Sequence, residues 1–273
     1  MAMKKTEMRN PNTTHIDKMS TAEMLKAMSV ENFNAAKAVE EAIPSIEAAV
    51  DAAYERFKNG GRIFYMGCGT SGRLGVLDAS EIPPTYGVSP DRVVGIIAGG
   101  YKCLSSASEN AEDLGENGVA DLKAHDVTGD DVVFGISVAG DAAYIADAIQ
   151  YAKSLGCVTV GLTSNAGSLV DKYADYPIVT DTGAEVITGS TRMKAGTAHK
   201  LVLNMFSTSI MIKCGYVYEN LMVNMKAKNI KLEKRMISMI HDITGLDNEI
   251  CEQYLIETNW NIRGAIALWE ERK

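Results

Sequence analysis

Two hydrophobic spacings divide this chain. From about Val30 to Lys58, alanine, valine and isoleucine recur at helical spacing, with a break or re-entry at Pro44 and an end at Asn59-Gly60-Gly61. Ahead of that stretch, Ser20 and Glu23 stand at capping-box spacing and predict a helix through Met24 and Leu25, while residues 1 to about 20 are polar and read as an irregular arm. From residue 61 to about 180 the pattern changes to short continuous apolar runs: Ile63–Met66, Val93–Ala98, Asp131–Ser137, Val158–Thr163 and Tyr176–Val179, with helical segments such as Ala142–Leu155 between them. Continuous apolar runs rich in β-branched residues, rather than alternating ones, belong to strands covered on both faces. The chain is therefore expected to be α/β, a doubly wound parallel sheet with N-terminal helices and ligands bound beyond the carboxyl ends of the strands. A polar, glycine-punctuated stretch, Gly183 to Gly196, then leads into an apolar helix over about Thr197 to Cys214. The tail from Val223 is helical in pattern and predicts a small three-helix module, giving domains of 1–228 and 229–273 with a boundary near Asn229.

The stretch with the most chemical content is Gly67-Cys68-Gly69-Thr70-Ser71-Gly72-Arg73, which follows the first apolar run and opens a helix at about Gly72. A strand, a tight loop and a helix N-terminus present free N–H groups and the positive end of a dipole to an anion. Gly69 and the hydroxyls of Thr70 and Ser71 would cradle it, with the charge of Arg73 nearby. The same letters satisfy the G-x-G-x-x-G dinucleotide fingerprint, which also wants an acid at the end of the second strand. Asp91 precedes that strand and no acid closes it. A phosphate monoester fits two hydroxyls better than a pyrophosphate on bare glycines does, and a purely structural glycine turn is the third reading.

Composition narrows the partners. The 46% hydrophobic and 23% charged content is that of an ordinary globular protein. No apolar run approaches the roughly 18 residues of a membrane span, and the first residues lack the apolar core of a signal peptide, so a cytoplasmic protein without membrane contact is expected. A formal charge of −8 argues against a general nucleic-acid surface. Five scattered cysteines without C-x-x-C pairing indicate neither zinc nor a disulfide framework.

Among candidate catalytic groups, Glu81 is expected to close the helix that leaves the loop, just before Pro83-Pro84. Glu112 follows the Ala98-Gly99-Gly100 loop after the second apolar run. Carboxylates on neighbouring connections can serve as acid and base over one sugar. On the residues alone, a solvated helix end for Glu81 and a helix-start carboxylate for Glu112 are the plainer readings. The four histidines offer little: no Ser-His-Asp spacing or His-x-x-x-His occurs, and His199, beside Lys200 at the start of an apolar helix, reads as a core histidine before a site residue. Trp260 and Trp269, at helical-face positions, read as core.

Three blocks together resemble the N-acetylmuramic acid 6-phosphate etherases: Thr6-Glu7…Asn10…Thr13…Ile16-Asp17…Ser20-Thr21…Glu23, then Gly67 through Pro84, then Glu185 through Ala198. The resemblance covers nearly the whole chain. It implies a sugar isomerase (SIS) domain with flavodoxin-like layering, a homodimer with sites near the subunit interface, and a ubiquitin-associated-like helical module at the C-terminus. It implies a lyase that cleaves the C3 lactyl ether of N-acetylmuramic acid 6-phosphate to N-acetylglucosamine 6-phosphate and D-lactate, in cell-wall amino-sugar recycling, without metal or organic cofactor. By position, Glu81 corresponds to the acid and Glu112 to the base.

One segment departs from the family. A Ser-Gly-Arg-Thr-Pro-Tyr-like second phosphate loop is usual after the third strand, whereas this chain reads Ser137-Val138-Ala139-Gly140-Asp141-Ala142-Ala143-Tyr144. A carboxylate within about 4 Å of a phosphate costs several kcal/mol at intermediate dielectric. Either Asp141 points away or the ligand is held differently, with Ser137, Ser71 and the Ser190 region as remaining donors. Gly135-Ile136-Ser137-Val138 also resembles glucokinase regulatory protein, a sugar-phosphate binder without etherase activity. A phosphosugar sensor and an aldose–ketose isomerase using Glu112 are thus the alternatives.

Overall fold

A computed structural model describes residues 3–106, 110–225, 227 and 230–273. The helix α1 spans Thr21–Glu41 and α2 spans Ile43–Lys58; β1 (Ile63–Gly67), α3 (Gly69–Tyr86), β2 (Val93–Ile97), α4 (Gly115–Ala124), β3 (Val132–Ile136), α5 (Ala143–Ser154), β4 (Val158–Thr163), α6 (Leu169–Tyr173), β5 (Tyr176–Val179) and α7 (Lys194–Lys213) follow. After them come a hairpin of β6 (Val217–Tyr218) and β7 (Leu221–Met222), then α8 (Ile230–Thr244), α9 (Asn248–Glu257) and α10 (Ile262–Arg272). Contacts divide the chain into two compact units, Met1–Ser80 with Pro90–Ile210, and Glu81–Ser89 with Met211–Lys273. The Asn229 boundary expected from the sequence lies outside the described residues.

In the first unit, β1 to β5 form a parallel sheet in the order β2-β1-β3-β4-β5. Both faces are covered, which is why β1 and β3 are buried at every residue. Alternation along β1 sends Tyr65 to one side, edge-on to Phe134, which in turn meets Phe206 of α7 at 4.8 Å between ring centroids. Phe64 and Met66 point the other way and pack with Val133, Tyr144, Ile145 and Ile149. The capping box forms: Ser20 Oγ accepts from the N–H of Glu23, whose carboxylate accepts from the N–H of Ser20. Pro44 sits in the first turn of α2, where its missing N–H costs no bond.

The N-terminal arm is not irregular. It forms three 3-10 turns, at Lys5–Glu7, Pro11–Thr13 and Ile16–Lys18. Asn10 Nδ2 donates to Ala184 O, and Thr13 Oγ1 donates to Val186 O, so the arm is held by backbone carbonyls more than 170 residues away. Helix α3 also departs from expectation. It starts at Gly69 rather than about Gly72 and runs past Glu81 through Pro83 and Pro84. The prolines remove two intrahelical donors, but Ile82 and Tyr86 are buried, and the Gly87 N–H closes the last turn on Pro83 O.

The second unit has its own apolar cluster, in which Met236, Met239 and Ile240 of α8 meet Cys251 and Leu255 of α9 and Ile262, Ala265 and Ile266 of α10. Trp260 is not on a helix: it lies between α9 and α10 with φ 58°, half-buried against this cluster, because Asn259 and Trp260 both turn left-handed to reverse the chain.

Candidate active site

In the order 2-1-3-4-5 the chain reverses direction of travel between β1 and β3, and Gly67 and Ile136 stand side by side at the carboxyl ends of those strands. A crevice opens outside such a switch point. Here it is a cleft of about 600 Å³. Cys68, Gly69, Thr70, Ser71 and Arg73 line it from the β1 side, and Ile136 to Ala139 from the β3 side. Its rim is made by Asn110 to Asp113, by Gly189 and Thr191, and by Glu7 from the N-terminal arm.

The β1 turn depends on its glycines. A Cβ on Gly67 would lie 2.4 Å from the nitrogen of Gly72, and one on Gly72 would lie 2.5 Å from Gly67 O. Gly69 has open space around it but φ +53°, in the left-handed region. The turn delivers the first N–H groups of α3, which have no partner within the helix, to the cleft together with the Thr70 and Ser71 hydroxyls. On the β3 side, Ser137 Oγ accepts from the N–H of Gly140, which leaves the hydroxyl proton to donate to a ligand.

Arg73 lines the cleft, but its guanidinium also spans a loop: Nε donates to Leu104 O at 2.8 Å and Nη2 to Ser106 O. It holds the chain at Leu104 and Ser106 as well as supplying positive charge. Glu112 is exposed at the cleft, in a turn where Asn110 has φ 64° and the Glu112 carbonyl accepts from the N–H of Tyr144. Burial, with Glu112 and Asp113 nearby, pushes the Cys68 thiol up to about 12. Cys68 is therefore protonated at neutral pH and is no nucleophile.

Asp141 does not line the cleft. Its carboxylate pairs with Lys4 Nζ at 2.5 Å and accepts from the N–H of Leu169 at 2.9 Å. Burial raises its pKa, but these bonds outweigh burial and hold the carboxyl below its usual range. The conflict between this carboxylate and a phosphate is thereby removed. Ser190 is half-buried between two lining residues, Gly189 and Thr191, and is not itself part of the lining. Glu81 is exposed on α3, where the chain passes into the second unit, and is not among the residues that line the cleft. His199 does not line the cleft: it is fully buried, with Nε2 3.2 Å from Ser164 Oγ.

The stretch 183–196 is fixed by buried charge. Glu185 accepts from the N–H groups of Lys194 and Ala195, capping α7, and Lys194 Nζ pairs with Glu31 of α1, which also accepts from Asn12 Nδ2. Burial pushes Glu31 up, yet the Lys194 and Asn12 bonds together keep it below the usual range. This network sets Gly189 and Thr191 at the rim. Thr191 and Glu7 stand in the blocks that carry the resemblance, but nothing local marks them as facing a cleft.

The parallel order, the both-faced covering and the hydroxyl-lined switch point define a doubly wound α/β protein, and the family matches put it in the SIS class. Family models agree: "SIS domain" matches residues 104–209 and "Glucokinase regulatory protein N-terminal SIS domain" matches 45–153, well beyond the four residues that suggested it. "TAP C-terminal domain" matches 235–273. A phosphoheptose isomerase structure from Francisella tularensis superposes with TM-score 0.54 at 20% identity, over 71% of this chain and all of that one, a likeness of fold. The N-acetylmuramic acid 6-phosphate etherase of Caldanaerobacter subterraneus subsp. tengcongensis is 51% identical over 96% of this chain and 86% of its own length, and that of Bacillus subtilis 47% identical over the same shares. The chain belongs to the N-acetylmuramic acid 6-phosphate etherase family.

Proposed function

We propose that this protein cleaves the C3 lactyl ether of N-acetylmuramic acid 6-phosphate, giving N-acetylglucosamine 6-phosphate and D-lactate, in the cytoplasmic recycling of cell-wall amino sugar. The carrying observation is the etherase likeness, 51% identity over nearly the whole chain, joined to a cleft in which Glu112 stands beside the hydroxyl-lined turn. The 6-phosphate sits on the N-terminus of α3, held by N–H groups of Gly69 to Ser71 and by the hydroxyls of Thr70, Ser71 and Ser137. Arg73 adds charge, and Ser190 supports the neighbouring rim. With the sugar opened, Glu112 takes the C2 proton, the electrons form the C2=C3 bond conjugated to the C1 aldehyde, and the C3–O bond breaks. Glu81 gives the departing lactate oxygen its proton. Water then adds at C3 and a proton returns to C2.

Because Glu81 is absent from the lining of the cleft, the reading includes a dimer in which each cleft receives Glu81 from the other copy. The α8–α10 module, with its own apolar cluster and its own family match from residue 235, is proposed as a separate domain from about residue 229.

The test is lactate release from N-acetylmuramic acid 6-phosphate. Wild type releases it, and Glu81→Ala and Glu112→Ala each abolish release. Mixing the two inactive variants and allowing subunit exchange restores about a quarter of wild-type activity, since half the dimers are mixed and each of those has one intact site. Release that survives Glu112→Ala defeats the chemistry. Two inactive variants that do not complement, despite proven exchange, defeat the composite site.

A further inference from the structure

The arm that the sequence reads as irregular is fastened at successive residues near the cleft. Lys4 pairs with Asp141, Lys5 pairs with Asp181, and Thr6 is fully buried, its hydroxyl accepting from Asn165 Nδ2. The same Asn165 amide donates to Val138 O, one residue beyond Ser137 of the cleft floor. The next residue, Glu7, is exposed and lines the cleft. Its carboxylate lies over Gly189, where a Cβ would stand 3.2 Å from Glu7 Oε2 and where φ is +75°. The rim glycine thus leaves the space that the glutamate fills.

We infer that Glu7 is a specificity-determining residue of the cleft, accepting a hydrogen bond from an uncharged donor of the bound sugar, a hydroxyl or the amide N–H. The inference rests on the sugar-phosphate reading of the site. An ionised carboxylate has only acceptor capacity, so its partner on the ligand is a donor. Like charge disfavours the phosphate beside Glu7, so the acceptor meets the sugar rather than the phosphate that the N-terminus of α3 holds. Glu7 therefore fixes which end of the sugar faces the rim, while the Lys4 and Lys5 pairs and the Thr6 contact fix Glu7.

The experiment titrates the full-length protein calorimetrically with N-acetylglucosamine 6-phosphate and, separately, with inorganic phosphate. Glu7→Ala weakens the sugar phosphate by about 10- to 100-fold, the range of a hydrogen bond to a charged group, while inorganic phosphate binds as in wild type or more tightly. Glu7→Gln, whose amide oxygen still accepts, falls between. The inference is overturned if Glu7→Ala binds the sugar phosphate like wild type, or if both ligands weaken together, the mark of a detached arm. Wild type that binds neither ligand would overturn the sugar-phosphate reading as well. Wild type that binds and releases lactate, with an indistinguishable Glu7→Ala, would overturn only the role of Glu7.

Discussion

Acidification from pH 7 to pH 5 is expected to destabilise this protein through His199. The ring is fully buried on α7, and burial lowers its pKa from 6.5 to about 3. Below pH 6.5 the unfolded chain takes up a proton that the folded chain refuses. Stability present above 6.5 is accordingly lost as pH falls toward 3. At pH 5 the unfolded imidazole is about 1.5 units below its pKa, and at 1.36 kcal/mol per unit the loss relative to pH 7 is about 2 kcal/mol. Glu31, Asp131, Asp141 and Asp175, all held below their usual range, add losses of the same sign, but only below about pH 4.5. Glu185 and Asp78, raised by burial, act with the opposite sign. Comparison with His199→Gln isolates the histidine, since every carboxylate is common to both proteins. Urea unfolding at pH 7, 6 and 5 is the assay. Wild type should lose about 2 kcal/mol more than the variant between pH 7 and pH 5, and parallel losses, equal within about 0.5 kcal/mol, would refute the argument.

Lys194→Met leaves Glu31 buried without its ammonium partner and should cost about 3–5 kcal/mol in urea unfolding, with Glu31→Leu in the same chain recovering much of it. A double variant no more stable than the single would contradict this account of the pair. In the cradle, Gly67→Ala puts a methyl 2.4 Å from the Gly72 nitrogen and should abolish both inorganic phosphate binding and lactate release. Gly69→Ala meets open space and carries only the left-handed backbone cost of about 1 kcal/mol. Isothermal titration and a lactate assay on the two variants would reverse the argument if Gly69→Ala proved the more damaging.

The elements that the sequence makes legible are those whose cause is local. The Ser20–Glu23 box forms because its residues are three apart, and the strands are legible because each is a continuous apolar run of adjacent residues, as the full burial of β1 and β3 requires. The glycine turn follows equally from its letters, since only glycine accommodates the approach of Gly67 to Gly72 and the φ of Gly69. Where the sequence misleads, a distant partner overrules local chemistry. Two prolines do not end α3 because buried Ile82 and Tyr86 hold its last turn. The arm is ordered because carbonyls at 184 and 186 accept from it.

The sequence by itself determined the sheet and the turn at its switch point, because spacing and backbone conformation are properties of a few adjacent residues; the pair of glutamates came only from the resemblance. Only the tertiary structure decided which side chains face the cleft. It turned Asp141 toward Lys4, set Thr191 rather than Ser190 on the rim, buried His199 and brought in Glu7. It also set Glu112, but not Glu81, among the residues that line the cleft. The rim at Gly189 and Thr191 depends on partners such as Glu31 and Lys194, 163 residues apart. Local spacing carries no information about such pairings, because they arise only when the packed sheet brings its loops to one edge.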